Sequence, residues 1–244
     1  MARTRTSARG DGTAARGATA RQLSFVVSAQ RPLALLGGTF DPIHLGHLRV
    51  AWEAAEALDA DVHLLLAHEP PHRPAPVASV EQRVAILRAA LAGQQRLHID
   101  LRELRRTGPS YSIDTLIEVR AEIGPQRSLI LLLGADAFAG LPGWHRWQEL
   151  FDLAHIVVLT RPGVAAALGA ELQTQVLAHE VDTAQILATR TAGAIFHLPV
   201  TPLDISATQI RQLLRDGHEP RYLLPDVLLA DPSLLDAYRL GAGN

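Results

Sequence analysis

The chain contains no cysteine and no lysine. The first absence excludes disulfides, thiolate metal sites and cysteine nucleophiles, and it fits a reducing, cytoplasmic compartment. The second makes all 23 basic residues arginine. Any charged side chain that meets a phosphate must therefore offer guanidinium or imidazolium. Long apolar runs are missing too: none approaches the roughly 20 residues that span a bilayer, so no membrane association is expected. No internal repeat or long linker interrupts the 244 residues, of which 48% are apolar. That length and composition suit one large domain with a substantial core.

Charge is unevenly spread. Residues 1–31 hold six arginines against Asp11, a net of +5, so an overall charge of −2 leaves −7 on the remainder. An acidic remainder argues against a broad nucleic-acid surface. The stretch 1–31 is rich in Ala, Arg, Thr and Gly without apolar periodicity, and it reads as a disordered basic tail. A solvated or misassigned start, a transit peptide and a nucleic-acid arm are all open readings of it. It has no continuous apolar segment of the secretory kind.

From Leu33 onward the pattern alternates. LALLG, at 33–37, predicts a buried strand, and a helical pattern follows over 45–58. VHLLLA at 62–67 predicts a second strand. The next helix places Val80, Val84, Leu87 and Leu91 on one face. Further strands are expected at 97–101, 128–134, 155–160 and near AIFHL, with helices at 112–123 and 164–178 and a largely helical end from Ser206. Short apolar strands separated by helices imply βαβ units, hence an α/β fold with a parallel sheet covered on both faces. Residues 32–244 are read as a single domain.

In such a sheet, ligands bind beyond the carboxyl ends of the strands. Gly37 and Gly38 stand at one such end and allow close backbone approach. The next helix start offers free N–H groups to an anion, with His44 and His47 flanking Gly46 beside it. A metal pair and a structural helix cap are the other readings of these histidines. DISATQIRQLL, at 204–214, has the same character: a capping hydroxyl, free N–H groups and the Arg211 guanidinium. An ordinary capped helix with a surface arginine would look alike. EPPHRP, at 69–74, is a proline-stiffened loop carrying His72 and Arg73, suited to phosphate or simply an exposed turn. Gly134 closes the strongest strand and brings Asp136 to the ligand edge, where a carboxylate accepts from ribose hydroxyls. Trp144 follows Pro142–Gly143 and offers a flat face to an aromatic ring, while Trp147 suits the core. Arg161, in TRPG, follows a further strand, where a plain strand-end turn is the ordinary reading.

Together, GGTFDPIHLGH and ISATQIR resemble the nucleotidylyltransferase superfamily, whose H-x-G-H element resembles that of class I aminoacyl-tRNA synthetases. With GGTFDP, PPHR, GPSYS, GADAF and PGWH in order, the match is to the bacterial nicotinate-nucleotide adenylyltransferase family. It covers nearly everything from Leu33 onward. The resemblance implies a Rossmann-like doubly wound sheet and transfer of adenylyl from ATP to nicotinate mononucleotide. It also implies Mg²⁺ carried on ATP oxygens, with no protein metal ligands.

By the same resemblance Gly37, Gly38, Thr39, Phe40, His44, His47, Gly134, Asp136, Arg161, Ser206, Thr208 and Arg211 hold ATP. His44, His47 and Arg211 are the catalytic group. Arg73, Tyr111, Ser112, Trp144 and His145 take the pyridine nucleotide. Trp144 would stack on its ring, and amides near Ser112 and His145 would meet its carboxylate. Asp41 either neighbours the metal or orders the loop, and the loop role is favoured.

Family members usually carry Thr at position 112 and Tyr at position 145, so acid-over-amide preference is least secured there. An adenylyltransferase for nicotinamide mononucleotide or phosphopantetheine stands as the nearest alternative, although the Trp144 loop favours a pyridine. A nucleotide-binding regulator without turnover is another, and the presence of both histidines and Arg211 argues against it. Oligomerisation is left open. No nucleic-acid partner is expected, the basic tail apart.

Overall fold

The computed structural model describes residues 30–68, 75–161 and 167–239. Almost all of the expected tail, the Arg73 loop and positions 164–166 lie outside the described residues. Six strands, β1 (Leu33–Gly38), β2 (Asp61–Leu66), β3 (Leu97–Asp100), β4 (Leu129–Gly134), β5 (His155–Thr160) and β6 (Ile195–Pro199), form one sheet. Its order is β3-β2-β1-β4-β5-β6 and every pairing is parallel. The helices are α1 (Leu45–Ala57), α2 (Val80–Ala90), α3 (Ser112–Ile123), α4 (Ala135–Ala139) and α5 (Leu150–Leu153). They continue with α6 (Ala170–His179), α7 (Gln185–Thr189), α8 (Ala207–Arg215), α9 (Asp226–Ala230) and α10 (Asp236–Arg239).

Side chains alternate across a strand, so each one feeds two cores. Ala34, Leu64, Leu132 and Val157 point into one, with residues of α1, α2, α8, α9 and α10. Leu35, Leu131, Leu133 and Val158 point into the other, with residues of α3, α5 and α6. This is the doubly wound arrangement expected. The strand order reverses between β1 and β4, and the loops leaving those two strands diverge to open a crevice at their carboxyl ends. Gly38 and Gly134 end the two strands.

Three local expectations change. On α2 the buried face is Arg83, Ile86 and Leu87, with Val80 and Val84 only partly buried. The face is turned because Arg83 finds buried acceptors, described below. The same helix opens with a reciprocal cap: Gln82 N donates to Ser79 Oγ at 3.3 Å, and Ser79 N to Gln82 Oε1 at 2.9 Å. β3 ends at Asp100, whose carboxylate accepts from the Arg102 backbone N at 3.0 Å and bends the chain into the 3-10 turn Arg102–Arg105. α6 begins at Ala170, after Gly169 at its N-cap, later than the apolar pattern implies.

β5 opens on His155, which is completely buried. Its Nδ1 accepts from Ala194 N at 3.0 Å, which leaves the proton on Nε2 to donate to the Arg190 carbonyl at 3.1 Å. Burial pulls its pKa down to about 4 from 6.5. The folded state therefore excludes a proton that the unfolded chain accepts. Stability from this group is complete above pH 6.5 and is lost as pH falls through the window down to about 4. The loss amounts to about 3 kcal/mol. A Tm series from pH 7.5 to 4 should fall accordingly, and His155→Gln, which keeps a donor and an acceptor but does not titrate, should flatten it. An unchanged slope in that variant would assign the acid sensitivity elsewhere.

Candidate active site

The crevice begins where β1 runs out of side chains. A Cβ on Gly38 would stand 2.8 Å from the Phe40 ring, and one on Gly46 would stand 3.0 Å from His44 Nδ1. Those two glycines therefore make room for the protein's own rings. Gly37 and Gly134, by contrast, face open space, with nothing within 4 Å of the Cβ position. Phe40 holds a left-handed backbone (φ 45°), a conformation that costs a bulky residue about 1–3 kcal/mol. Its ring is buried, and it supports His47 edge-on with centroids 5.1 Å apart.

His44 is the N-cap residue of α1 but makes no side-chain capping bond, so the structural-cap reading does not account for it. Its ring stacks on His47 at 3.7 Å with planes 29° apart. It is 5% exposed, its Nδ1 has no hydrogen-bond partner, and burial lowers its pKa to about 4. At neutral pH it therefore offers an N–H rather than a charge, and the stacked pair avoids holding two cations in contact. Among the described residues no three His, Asp or Glu side chains are grouped to hold a metal ion. The first N–H of α1 is also not free for a ligand: Leu45 N donates to the Leu223 carbonyl at 2.9 Å.

Asp41 organises the rest of this half. Its carboxylate accepts from Val77 N at 2.7 Å and Ala78 N at 3.0 Å, which anchors the chain leading into α2. Its carbonyl accepts from Arg211 Nη1 at 2.7 Å, and the same guanidinium lies 3.7 Å from the carboxylate. Arg211 Nη2 also donates to Thr208 Oγ1 at 3.2 Å, and Ser206 Oγ caps α8 by accepting from Gln209 N at 3.1 Å. The two anion motifs thus meet across a separation of 170 residues. The favoured role of Asp41 as the organiser of its loop agrees with these bonds.

The second half gathers the expected pyridine-side residues. Tyr111 is the N-cap of α3 without a side-chain capping bond, and Ser112 is the first residue of that helix. The Tyr111 and His145 rings lie 4.6 Å apart. Trp144 is partly exposed beside them, after the 3-10 turn Leu141–Gly143, while Trp147 sits in the core against Phe151 as its apolar role requires. Asp136 is exposed in the first turn of α4, and Arg161 is exposed directly after β5. Both therefore stand at the same sheet edge.

Beneath these groups lie supports that no sequence motif marks. Arg83 is 1% exposed and donates from Nη1 to the carbonyls of Thr39 at 3.0 Å and Ala67 at 2.8 Å, tying the turn after β1 to the end of β2. Its place three and four residues before Ile86 and Leu87 would have marked it as inward-facing. Under the 108–112 segment, Arg102 Nε donates to both Asp100 oxygens at 2.9 and 2.8 Å, and Arg102 Nη2 to Glu122 at 3.0 Å. Glu103 accepts from Thr115 Oγ1 at 2.9 Å, and burial pushes its carboxyl above the ordinary glutamate range despite that bond. No local signal distinguishes these charged residues from solvated ones.

Residues 35–213 match the cytidylyltransferase-like family. A protein of Pseudomonas putida strain W619, named as a probable nicotinate-nucleotide adenylyltransferase, is 47% identical over 212 residues, which is 86% of this chain and 96% of that one. A protein of the same name from Halorhodospira halophila is 50% identical over 199 residues, 81% of this chain and 91% of its own. Among solved structures, the Plasmodium falciparum nicotinic acid mononucleotide adenylyltransferase complexed with NaAD superposes with a TM-score of 0.60. That likeness covers 86% of this chain and 97% of the other and, at 13% identity, concerns the fold alone.

Proposed function

Since the chain belongs to the cytidylyltransferase-like family and, within it, to the nicotinate-nucleotide adenylyltransferases, we propose that it transfers the adenylyl group of ATP to nicotinate mononucleotide. The products are nicotinate adenine dinucleotide and pyrophosphate, a step of NAD biosynthesis, with residues 32–244 acting as one catalytic unit. The observation that carries this reading beyond the family likeness is the junction of the two anion motifs. Arg211 reaches the Asp41 carbonyl at 2.7 Å, so its guanidinium and the stacked histidines border one crevice.

The chemistry suits such a site. The attacking group is a phosphate monoester, already anionic at neutral pH, so no strong base is required. What the reaction needs is alignment of two anions and stabilisation of charge on the transferring phosphorus and the departing pyrophosphate. Mg²⁺, supplied with ATP rather than by protein ligands, would neutralise part of that charge. Arg211 and the start of α8 hold the triphosphate. His47, half-buried and steadied by His44 and Phe40, donates to the α-phosphate as charge develops. Neutral His44 adds a hydrogen bond without repelling its neighbour. Gly37, Gly38, Thr39, Gly134, Asp136, Arg161, Ser206 and Thr208 complete the ATP contacts, while Arg73, Tyr111, Ser112, Trp144 and His145 receive the pyridine nucleotide. For Phe40 the contribution is support of His47, since its ring is buried.

Incubation of the purified protein with Mg²⁺, ATP and nicotinate mononucleotide should release pyrophosphate and form the dinucleotide. The same assay with nicotinamide mononucleotide should be slower by at least about tenfold, the scale expected when a site built for an anion meets a neutral amide. Equal or better rates with the amide would overturn the acid preference, and inactivity on both would overturn the enzyme assignment.

A further inference from the structure

Between the 3-10 turn Arg102–Arg105 and the start of α3 at Ser112 the chain has no regular element. This short connection carries Gly108, in the left-handed region at φ 92°, and ends on Tyr111, whose ring lies 4.6 Å from that of His145. Regular backbone hydrogen bonding does not fix such a connection, so side chains must. One hydroxyl supplies the fastening. Thr115, 1% exposed, stands in the first turn of α3. Its Oγ1 accepts from Arg106 Nη1 at 2.8 Å and donates to Glu103 Oε1 at 2.9 Å.

Arg106 and Glu103 lie 9 and 12 residues before Thr115, so the two bonds close the connection at its root. A threonine hydroxyl has one proton and two lone pairs, and here the proton is committed to Glu103. The branched side chain has few rotamers, so its direction is set by the helix that carries it. Glu103 is itself 5% exposed, and a buried carboxylate requires donors. Arg106 reaches on to Glu118 of the same helix, which holds the guanidinium from a second side. Positions 112 and 115 share a helix face, so whatever fixes Thr115 also fixes Ser112.

We propose that Thr115 is a positioning residue for the pyridine nucleotide, and for its carboxylate in particular. Through Arg106 and Glu103 it holds the 108–112 segment against the first turn of α3. This rests on that segment receiving the pyridine nucleotide, as in the proposed function. A slackened segment would still admit the ring and the ribose phosphate, whereas a carboxylate met by directional N–H donors needs those donors in place. Loss of the fastening therefore falls on the acid more than on the amide.

Thr115→Val keeps the side-chain shape and removes the hydroxyl. In the full chain, with Mg²⁺ and saturating ATP, KM for nicotinate mononucleotide should rise roughly tenfold, the scale of one hydrogen bond to a charged group. KM for ATP should not move. The ratio of kcat/KM for the acid to that for nicotinamide mononucleotide should fall. Thr115→Ser, which returns the hydroxyl, should restore most of the KM. Arg106→Met removes one arm of the fastening at a partly exposed side chain. It should raise the same KM about threefold, and no further in the Thr115→Val background.

An equal loss for acid and amide, an equal rise in KM for ATP, or a Thr115→Ser variant as impaired as Thr115→Val would each overturn the proposal. If Thr115→Val does not fold, Arg106→Met decides, and an unchanged KM for nicotinate mononucleotide in it is the overturning result. A wild type that turns over acid and amide equally would overturn the acid-specific function and this proposal with it, and that failure is seen before any variant is made.

Discussion

His47→Ala should lower kcat by about 10²- to 10³-fold, the range found when one preorganised donor to a developing oxyanion is removed. The ring lies between His44, stacked at 3.7 Å, and Phe40, edge-on at 5.1 Å, so its direction is set before substrate arrives. A donor held in this way stabilises the transition state without reorganisation, and its loss falls on kcat more than on the KM of either substrate. Position 47 is only half-buried and in the first turn of α1, so the fold should survive, as a Tm close to wild type would verify. His47→Asn, which retains an N–H donor on a shorter side chain, should recover part of the rate. Near-wild-type turnover in the alanine variant would remove His47 from the mechanism. His44→Ala should cost less in direct contact, but it also withdraws the ring on which His47 rests.

Arg102→Ala should cost about 3–5 kcal/mol of stability, the expected result of breaking a buried ion pair from one side. Asp100 and Arg102 are 6% and 7% exposed. Burial alone would raise the Asp100 pKa. The His63 imidazole, the Arg102 backbone N–H and the Arg102 guanidinium outweigh it and hold the carboxyl at about 2. Without Arg102 that carboxylate is stranded, and its pKa should climb above the ordinary 3.8. In the wild type this group's contribution is present above pH 3.8 and lost only as pH falls through about 2. The variant should instead begin to favour protonation nearer neutrality. Urea denaturation at pH 7 measures the cost, and a loss below 1 kcal/mol would show the pair to be well solvated.

A functional consequence should accompany the stability loss. The 3-10 turn Arg102–Arg105 leads directly to the 108–112 segment. Slackening there should raise KM for the pyridine nucleotide before that for ATP.

These two residues mark the boundary of what the primary structure discloses. His47 was legible because its chemistry is local: glycines, an imidazole and a helix start within a dozen residues define an anion site wherever the strand before them ends. Arg102 was not, because RELRR reads as a solvated charge run, and only the burial of Asp100 beside it makes the pair matter. Arg83 lies between these cases. Its spacing to Ile86 and Leu87 pointed inward, but apolar bias assigned the face to Val80 and Val84 instead.

By itself, the sequence determined the kind of each main element, the parallel doubly wound sheet and the segments that border the crevice. Apolar run length, 3.6-residue periodicity, caps and motif chemistry all depend on neighbours within a few positions, so they can be read along a line. Tertiary structure alone decided that His44 is neutral, that Gly38 and Gly46 leave room for the protein's own rings, and that Leu223 covers the first amide of α1. It also decided that Asp41 joins Arg211, 170 residues away. Those outcomes depend on which groups the folded chain removes from water and which partners it then leaves within reach, and no local pattern encodes either.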